Sequence, residues 1–178
     1  MSVKITFEAH STTFDNEAKR ASGWNDVALS PLGIEQSKGL GERCRSRGFA
    51  AVFCSDLQRS FKTAEIAFEG VDIPIIKDKR LRECDYGDFT LHPSHEVEIE
   101  KSKRIEIPFP NGESYTDTTR HMAEFLADLK RDYNGKHVLI VAHRAPQYAL
   151  DHLLLGIPLK EIVSKTFIWQ PGWEYELK

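Results

Sequence analysis

His137-Val138-Leu139-Ile140-Val141-Ala142-His143-Arg144-Ala145-Pro146 is the stretch on which the fold turns. Its continuous aliphatic run, Val138 to Ala142, shows no polar alternation. That pattern reads as a strand buried on both faces, as in a parallel sheet. His143 stands at the carboxyl end of this strand, and Pro146 opens a helix through Leu155, closed by Gly156 and Pro158. On the other side, Asn134-Gly135 ends a helix read from about Ser114 to Tyr133. Met122, Phe125, Leu126, Leu129 and Tyr133 fall on one face of it.

The same alternation of strand and helix extends to the N-terminus. Val3, Ile5 and Phe7 alternate with polar residues as a strand that ends at Ala9-His10-Ser11-Thr12-Thr13. Asp15 to Asp26 lacks periodicity and reads as a loop. Ser30-Pro31 caps a helix that runs to about Arg47 and stops at Gly48. Phe49 to Cys54 reads as a buried strand, and Ser55 as the cap of a helix carrying Arg59 near its first turn. Ile73, Ile75 and Ile76 suggest a further strand, and Leu81 to Pro110 an irregular, charged excursion. Phe167 to Glu174 suggests a last strand, interrupted by Pro171-Gly172. The expected fold is α/β: a three-layer α/β/α sandwich with a mostly parallel central sheet. One domain over residues 1–178 is expected, with a short cap at about 81–110.

Composition narrows the partners. The 178 residues carry 24 Lys+Arg against 27 Asp+Glu, a formal charge of −3. Such a chain has no global attraction for nucleic acid or an anionic membrane. Any phosphate site must be a local cluster of cations. Cys44, Cys54 and Cys84 are odd in number and form no CxxC. Neither a disulfide framework nor a zinc site is indicated, and a reducing cytoplasm is the expected setting. Met1 to Phe7 is too short and polar for a signal peptide, and no apolar run reaches the length of a membrane span.

His10 and His143 each follow a strand, and open α/β sheets place ligand sites beyond their strands' carboxyl ends. The two can therefore meet in space. Arg59, just inside a helix N-terminus, adds charge where free N–H groups already favour an anion. Glu83 lies in a loop, where catalytic groups often sit.

These residues resemble the motifs of the histidine phosphatase superfamily, also called phosphoglycerate mutase-like, in order and spacing over nearly the whole chain. The family's opening Arg-His-Gly, with a following Thr and Asn, is similar to Ala9-His10-Ser11 with Thr13 and Asn16. Ser22-Gly23-Trp24-Asn25-Asp26, Leu29-Ser30, Gly33 and Gln36 resemble its next loop and helix start. Ser55-Asp56-Leu57-Gln58-Arg59 with Thr63-Ala64 looks like its second arginine motif, and Leu81 to Gly87 its acid motif. Pro110 to Ser114 and Val141-Ala142-His143 complete the match.

The resemblance implies a metal-independent, cofactor-free phosphatase acting on a small phosphorylated substrate. His10 would attack phosphorus and form a phosphohistidine, with a backbone carbonyl fixing its tautomer. Arg59 and His143 would hold the phosphoryl oxygens. Glu83 would protonate the leaving oxygen and then activate water. Asn16, Ser11 and Gly23 would touch the phosphate or the substrate. The family's first arginine is missing, because Ala9 occupies its place, and Glu8 points to the other face of the strand with the wrong sign. Arg144 is expected to supply the lost charge from the neighbouring strand end. The short 81–110 cap implies an open pocket and favours hydrolysis over phosphoglycerate mutase-type transfer. The absence of an arginine at Ala9 keeps open a third reading, an impaired module that binds phosphorylated ligands. A homodimer is compatible with the sequence.

Other features have plainer readings. Cys54 to Arg59 is one residue too short for a cysteine phosphatase loop, so Cys54 reads as a buried apolar residue. His92 and His95 read as solvated loop histidines. Phe167, Trp169 and Trp173 read as core, and Glu96 to Arg104 as a solvated face.

Overall fold

The computed structural model describes residues 2–178. A five-stranded sheet runs in the order β3-β2-β4-β1-β5, with β1 Val3–Ala9, β2 Ala51–Cys54, β3 Ile75–Lys77, β4 His137–Ala142 and β5 Trp173–Leu177. β1, β4, β2 and β3 pair in parallel, and β5 joins β1 antiparallel at the edge.

Helices cover both faces, which makes three layers. Along β4, Val138, Ile140 and Ala142 pack toward α5 (Tyr115–Asp132) and α6 (Arg144–Leu155). Leu139 and Val141 pack the other way, toward α2 (Pro31–Cys44) and α3 (Gln58–Ala67). A strand buried on both faces needs apolar residues at every position, which is why β4 reads without alternation.

The helix starts follow their caps. Ser30 Oγ accepts from the Gly33 N–H at 3.2 Å, with Pro31 at the first helical position. Ser114 and Asp117 form a reciprocal capping box on α5. Gly33 also permits a close approach: a Cβ there would come 2.0 Å from the Thr12 carbonyl oxygen. Only glycine lets α2 start this near the loop that follows β1.

Several boundaries differ from the sequence reading. Residues 15–26 are not all loop, since Phe14–Glu17 forms a short helix, α1, capped by Thr13. The Thr13–Asn16 capping box replaces the missing apolar periodicity. α2 ends at Cys44 rather than Arg47. The 81–110 excursion contains α4, Ser94–Glu100, and a further helix, α7, spans Leu159–Ser164. α6 begins at Arg144, two residues before Pro146, with His143 at its N-cap. The last strand starts only at Trp173, because Pro171 and Gly172 lie before it rather than inside it. Among the described residues no helix is long and apolar enough to cross a membrane.

Candidate active site

The sheet register brings the two histidines together. Ala9 pairs with Ala142, and the His10 N–H donates to the Ala142 carbonyl at 2.9 Å. His10 and His143 therefore leave adjacent strands at one level, with ring centroids 5.0 Å apart. β2 ends beside them, since Cys54 pairs with Val141. Ser55, the next residue, lies 2.6 Å from His143 Nε2 through its Oγ. Ser55 was expected to cap α3, but the α3 N-cap is Leu57, with no side-chain cap. The hydroxyl serves the imidazole instead.

Both imidazoles are held neutral. His10 Nδ1 lies 2.7 Å from the Ser11 carbonyl oxygen. A carbonyl can only accept, so Nδ1 carries the proton and Nε2 keeps its lone pair. Burial, aided by the charge of Arg59, lowers the His10 pKa to about 3. Burial also drives His143 well below its usual value, again with Arg59 adding to the effect. The Ser55 oxygen accepts from the Leu57 N–H at 3.3 Å, which leaves its own proton free to point at His143 Nε2. In that arrangement the His143 proton sits on Nδ1, a buried atom with no hydrogen-bond partner among the described residues. A buried donor of this kind is costly unless something accepts from it.

Arg59 is 2% exposed. Its Nη1 donates to the Asn25 carbonyl at 2.9 Å and its Nη2 to the Gly23 carbonyl at 2.7 Å. Asp15 shapes that loop by accepting from Ser22 Oγ and Asn25 Nδ2, both at 3.0 Å. Gly23 sits at φ +49°, where a Cβ would also press on Thr90 and Tyr86 at 3.2 Å. Burial lowers the Arg59 pKa, yet a guanidinium starts far enough above neutrality to stay charged.

Glu83 is 8% exposed and held at one oxygen. Its Oε1 accepts from the Cys84 N–H at 2.9 Å and the Ala145 N–H at 3.1 Å, in the first turn of α6. Its backbone is anchored from the other side, because Trp24 Nε1 donates to the Glu83 carbonyl at 2.7 Å. Arg82 lies 4.7 Å over the Trp24 ring while forking onto Asp56 at 2.7 Å per bond.

His10, His143, Arg59 and Glu83 line one cavity of about 240 Å³. Of the residues singled out in the sequence, it includes His10, Asn16, Gly23, Arg59, Glu83, His143 and Arg144. Ser11 is not among them. It is buried, its hydroxyl accepts from Ser37 at 2.9 Å, and its N–H donates to Thr63. Asn16 lines the cavity, but its Oδ1 is engaged with the Thr13 N–H. Gly23 contributes a carbonyl to Arg59 rather than a donor to an anion. Arg144 pairs with Glu98 and lies 4.6 Å over the Phe167 ring. Burial works against the Arg144 charge, but Tyr148, Glu98, Tyr86 and Glu83 outweigh it and raise its pKa.

Two plain readings need correcting. Trp169 is 56% exposed and, with Phe167, lines the cavity rather than the core. The 96–104 run is not simply a solvated face, since Val97 and Lys101 are buried and Glu98 bridges Lys101 and Arg144. Charge density hid the inward side of this segment. Cys54 is buried, and burial pushes its thiol up to about 12. His92 is exposed and pairs with Glu96.

Residues 6–167 match the family model described as histidine phosphatase superfamily (branch 1). The chain is 34% identical to a protein named phosphoglycerate mutase from Schizosaccharomyces pombe, over 90% of this chain and 83% of that one. It is 32% identical to an uncharacterized phosphatase, PhoE, from Bacillus subtilis, over 79% and 72%. Its fold is similar to that of Bacillus stearothermophilus YhfR, with a TM-score of 0.84 and 26% identity over 95% and 88% of the two chains.

Proposed function

Because this chain belongs to the histidine phosphatase superfamily, branch 1, we propose that it hydrolyses small phosphate monoesters through a phosphohistidine on His10. The observation that carries the reading is the His10–Ser11 hydrogen bond, which frees Nε2 as a neutral nucleophile beside His143 and Arg59.

The lone pair of His10 Nε2 attacks phosphorus. Negative charge grows on the equatorial oxygens, where His143 Nδ1–H and the Arg59 guanidinium donate. Arg144 adds charge from the α6 end of the cavity. The bond to the leaving oxygen breaks as Glu83 delivers a proton to it. Water then enters on the same side, gives a proton back to Glu83 and attacks the phosphohistidine. Phosphate leaves and His10 returns to its neutral form. One Glu83 oxygen is fixed by two backbone donors, which leaves the other for proton transfer.

Phosphoglycerate mutase-type transfer is the second reading, favoured by the name of the S. pombe relative. Transfer requires a cover that keeps water from the phosphohistidine. The cap over residues 81–110 holds one short α-helix, α4, which favours hydrolysis. A pure binding module has no use for a tautomer-locked nucleophile. The three free, buried cysteines suit work in a reducing cytoplasm, and no nucleic acid or membrane partner is invoked.

The test is hydrolysis of 4-nitrophenyl phosphate with chelator present, for wild type and His10→Ala, with acid-labile phosphoenzyme trapped from the wild type. Turnover and trapping that both vanish in the variant support the reading. Turnover that survives in His10→Ala overturns it. Transfer between glycerate phosphates in place of hydrolysis supports the mutase.

A further inference from the structure

The nucleophile stands between two chambers. Ala9, His10 and Trp169 line the catalytic cavity and also a second one of about 460 Å³. The second chamber extends toward α2, past Thr12, Gln36 and Leu40 to Arg43. Arg43 forms one wall, held 3.3 Å from both Glu8 oxygens and lying 5.9 Å from the Trp169 ring centre. Where the chambers meet, position 9 offers only a methyl group.

We propose that the same site also hydrolyses phosphodiesters, with the second ester group passing over Ala9 and under Trp169 into the second chamber. This rests on the phosphohistidine reading. In the attack on phosphorus the leaving oxygen lies opposite His10 Nε2, and the remaining three oxygens are equatorial. A substituent on one of those must exit sideways. The gap at Ala9 supplies that exit. His10 Nε2 bonds to phosphorus, the alkoxide departs with the Glu83 proton, and His10 holds a phosphoryl monoester. Water loses a proton to Glu83, its oxygen bonds to phosphorus, and the P–N bond breaks to give the monoester product.

The experiment compares bis(4-nitrophenyl) phosphate with 4-nitrophenyl phosphate, chelator present, for wild type, His10→Ala, Ala9→Arg and Trp169→Ala. Wild type is expected to cleave both, and His10→Ala neither. Ala9→Arg fills the gap and adds a cation, so kcat/KM should shift toward the monoester by ~10-fold or more, equivalent to ~1.4 kcal/mol of discrimination. Trp169→Ala should raise KM for the diester more than for the monoester. Wild type that cleaves the monoester alone overturns this inference and leaves the phosphatase reading standing. Wild type that cleaves neither overturns both. Diester cleavage that survives in His10→Ala, or an Ala9→Arg variant that keeps the wild-type ratio, also overturns it.

Discussion

Ser55 and His143 share a 2.6 Å hydrogen bond across the ends of two neighbouring strands. The bond decides which nitrogen of His143 keeps its proton. Ser55→Ala removes it and strands a buried Nε2, at a cost of ~1–3 kcal/mol in stability. It also releases the tautomer that places a donor toward the phosphoryl oxygens. We expect kcat for an aryl phosphate to fall ~10-fold or more, from a lost electrostatic contact, with KM changed less. Steady-state kinetics on a folded Ser55→Ala protein check this. An unaltered kcat removes Ser55 from the catalytic geometry.

Glu83 separates leaving groups. Glu83→Gln keeps the acceptor that faces Cys84 and Ala145 but cannot give or take a proton. Turnover of an alkyl phosphate should drop ~10²–10⁴-fold. The phosphorylation step with 4-nitrophenyl phosphate should suffer much less, because nitrophenolate leaves unaided. Rapid-quench measurement should then show a burst followed by slow dephosphorylation. Equal losses for both leaving groups would falsify the proton-donor assignment.

Arg144 lines the cavity while paired with Glu98, and the proposed mechanism gives it the charge missing at position 9. Arg144→Ala should lower kcat/KM for a monoester by ~10²-fold or more, the scale of one lost charge-stabilising contact. Arg144→Lys should restore little, because an ammonium cannot reproduce the planar fork or its place over Phe167. Near-wild-type kinetics in the alanine variant would show that the Glu98 pairing is this side chain's whole role.

Acid sensitivity follows from the neutral histidines. Both have folded-state pKa values below their unfolded ones, His10 at about 3. The unfolded chain therefore binds more protons from about pH 6.5 downward. Stability is full above that pH and is lost as pH falls toward the folded values, at up to ~1.4 kcal/mol per pH unit for each histidine. Urea unfolding at pH 7 and pH 5 should show the loss. His143→Asn should show a shallower dependence, and an unchanged slope in that variant contradicts a buried neutral His143.

The fold was legible where local pattern and tertiary burial agree. Val138 to Ala142 is apolar at each position because β4 is covered on both faces. The ends of β1 and β4 could be matched through their histidines because parallel pairing aligns carboxyl ends. α1 was hidden, since four residues carry no periodicity and only the Thr13–Asn16 box marks it. β5 was displaced because the aromatic residues at 167 and 169 look like strand, although they line the cavity. Ser11 was misplaced for a similar reason. Adjacency to His10 says nothing about orientation, and its hydroxyl faces Ser37. Asp15, Trp24 and Ser55 act through hydrogen bonds to loops or to a ring that sequence spacing does not encode.

The antiparallel pairing of Val3 with Leu177 bears on how the molecule is made. During translation β5 emerges long after β1, the strand it pairs with. Closing so long a loop is entropically slow. Until then β1, which leads into His10, has one flank uncovered, a sticky rim on the nascent polypeptide. Phe167 and Trp169, which line the cavity, lie only a few residues before that edge strand in the chain.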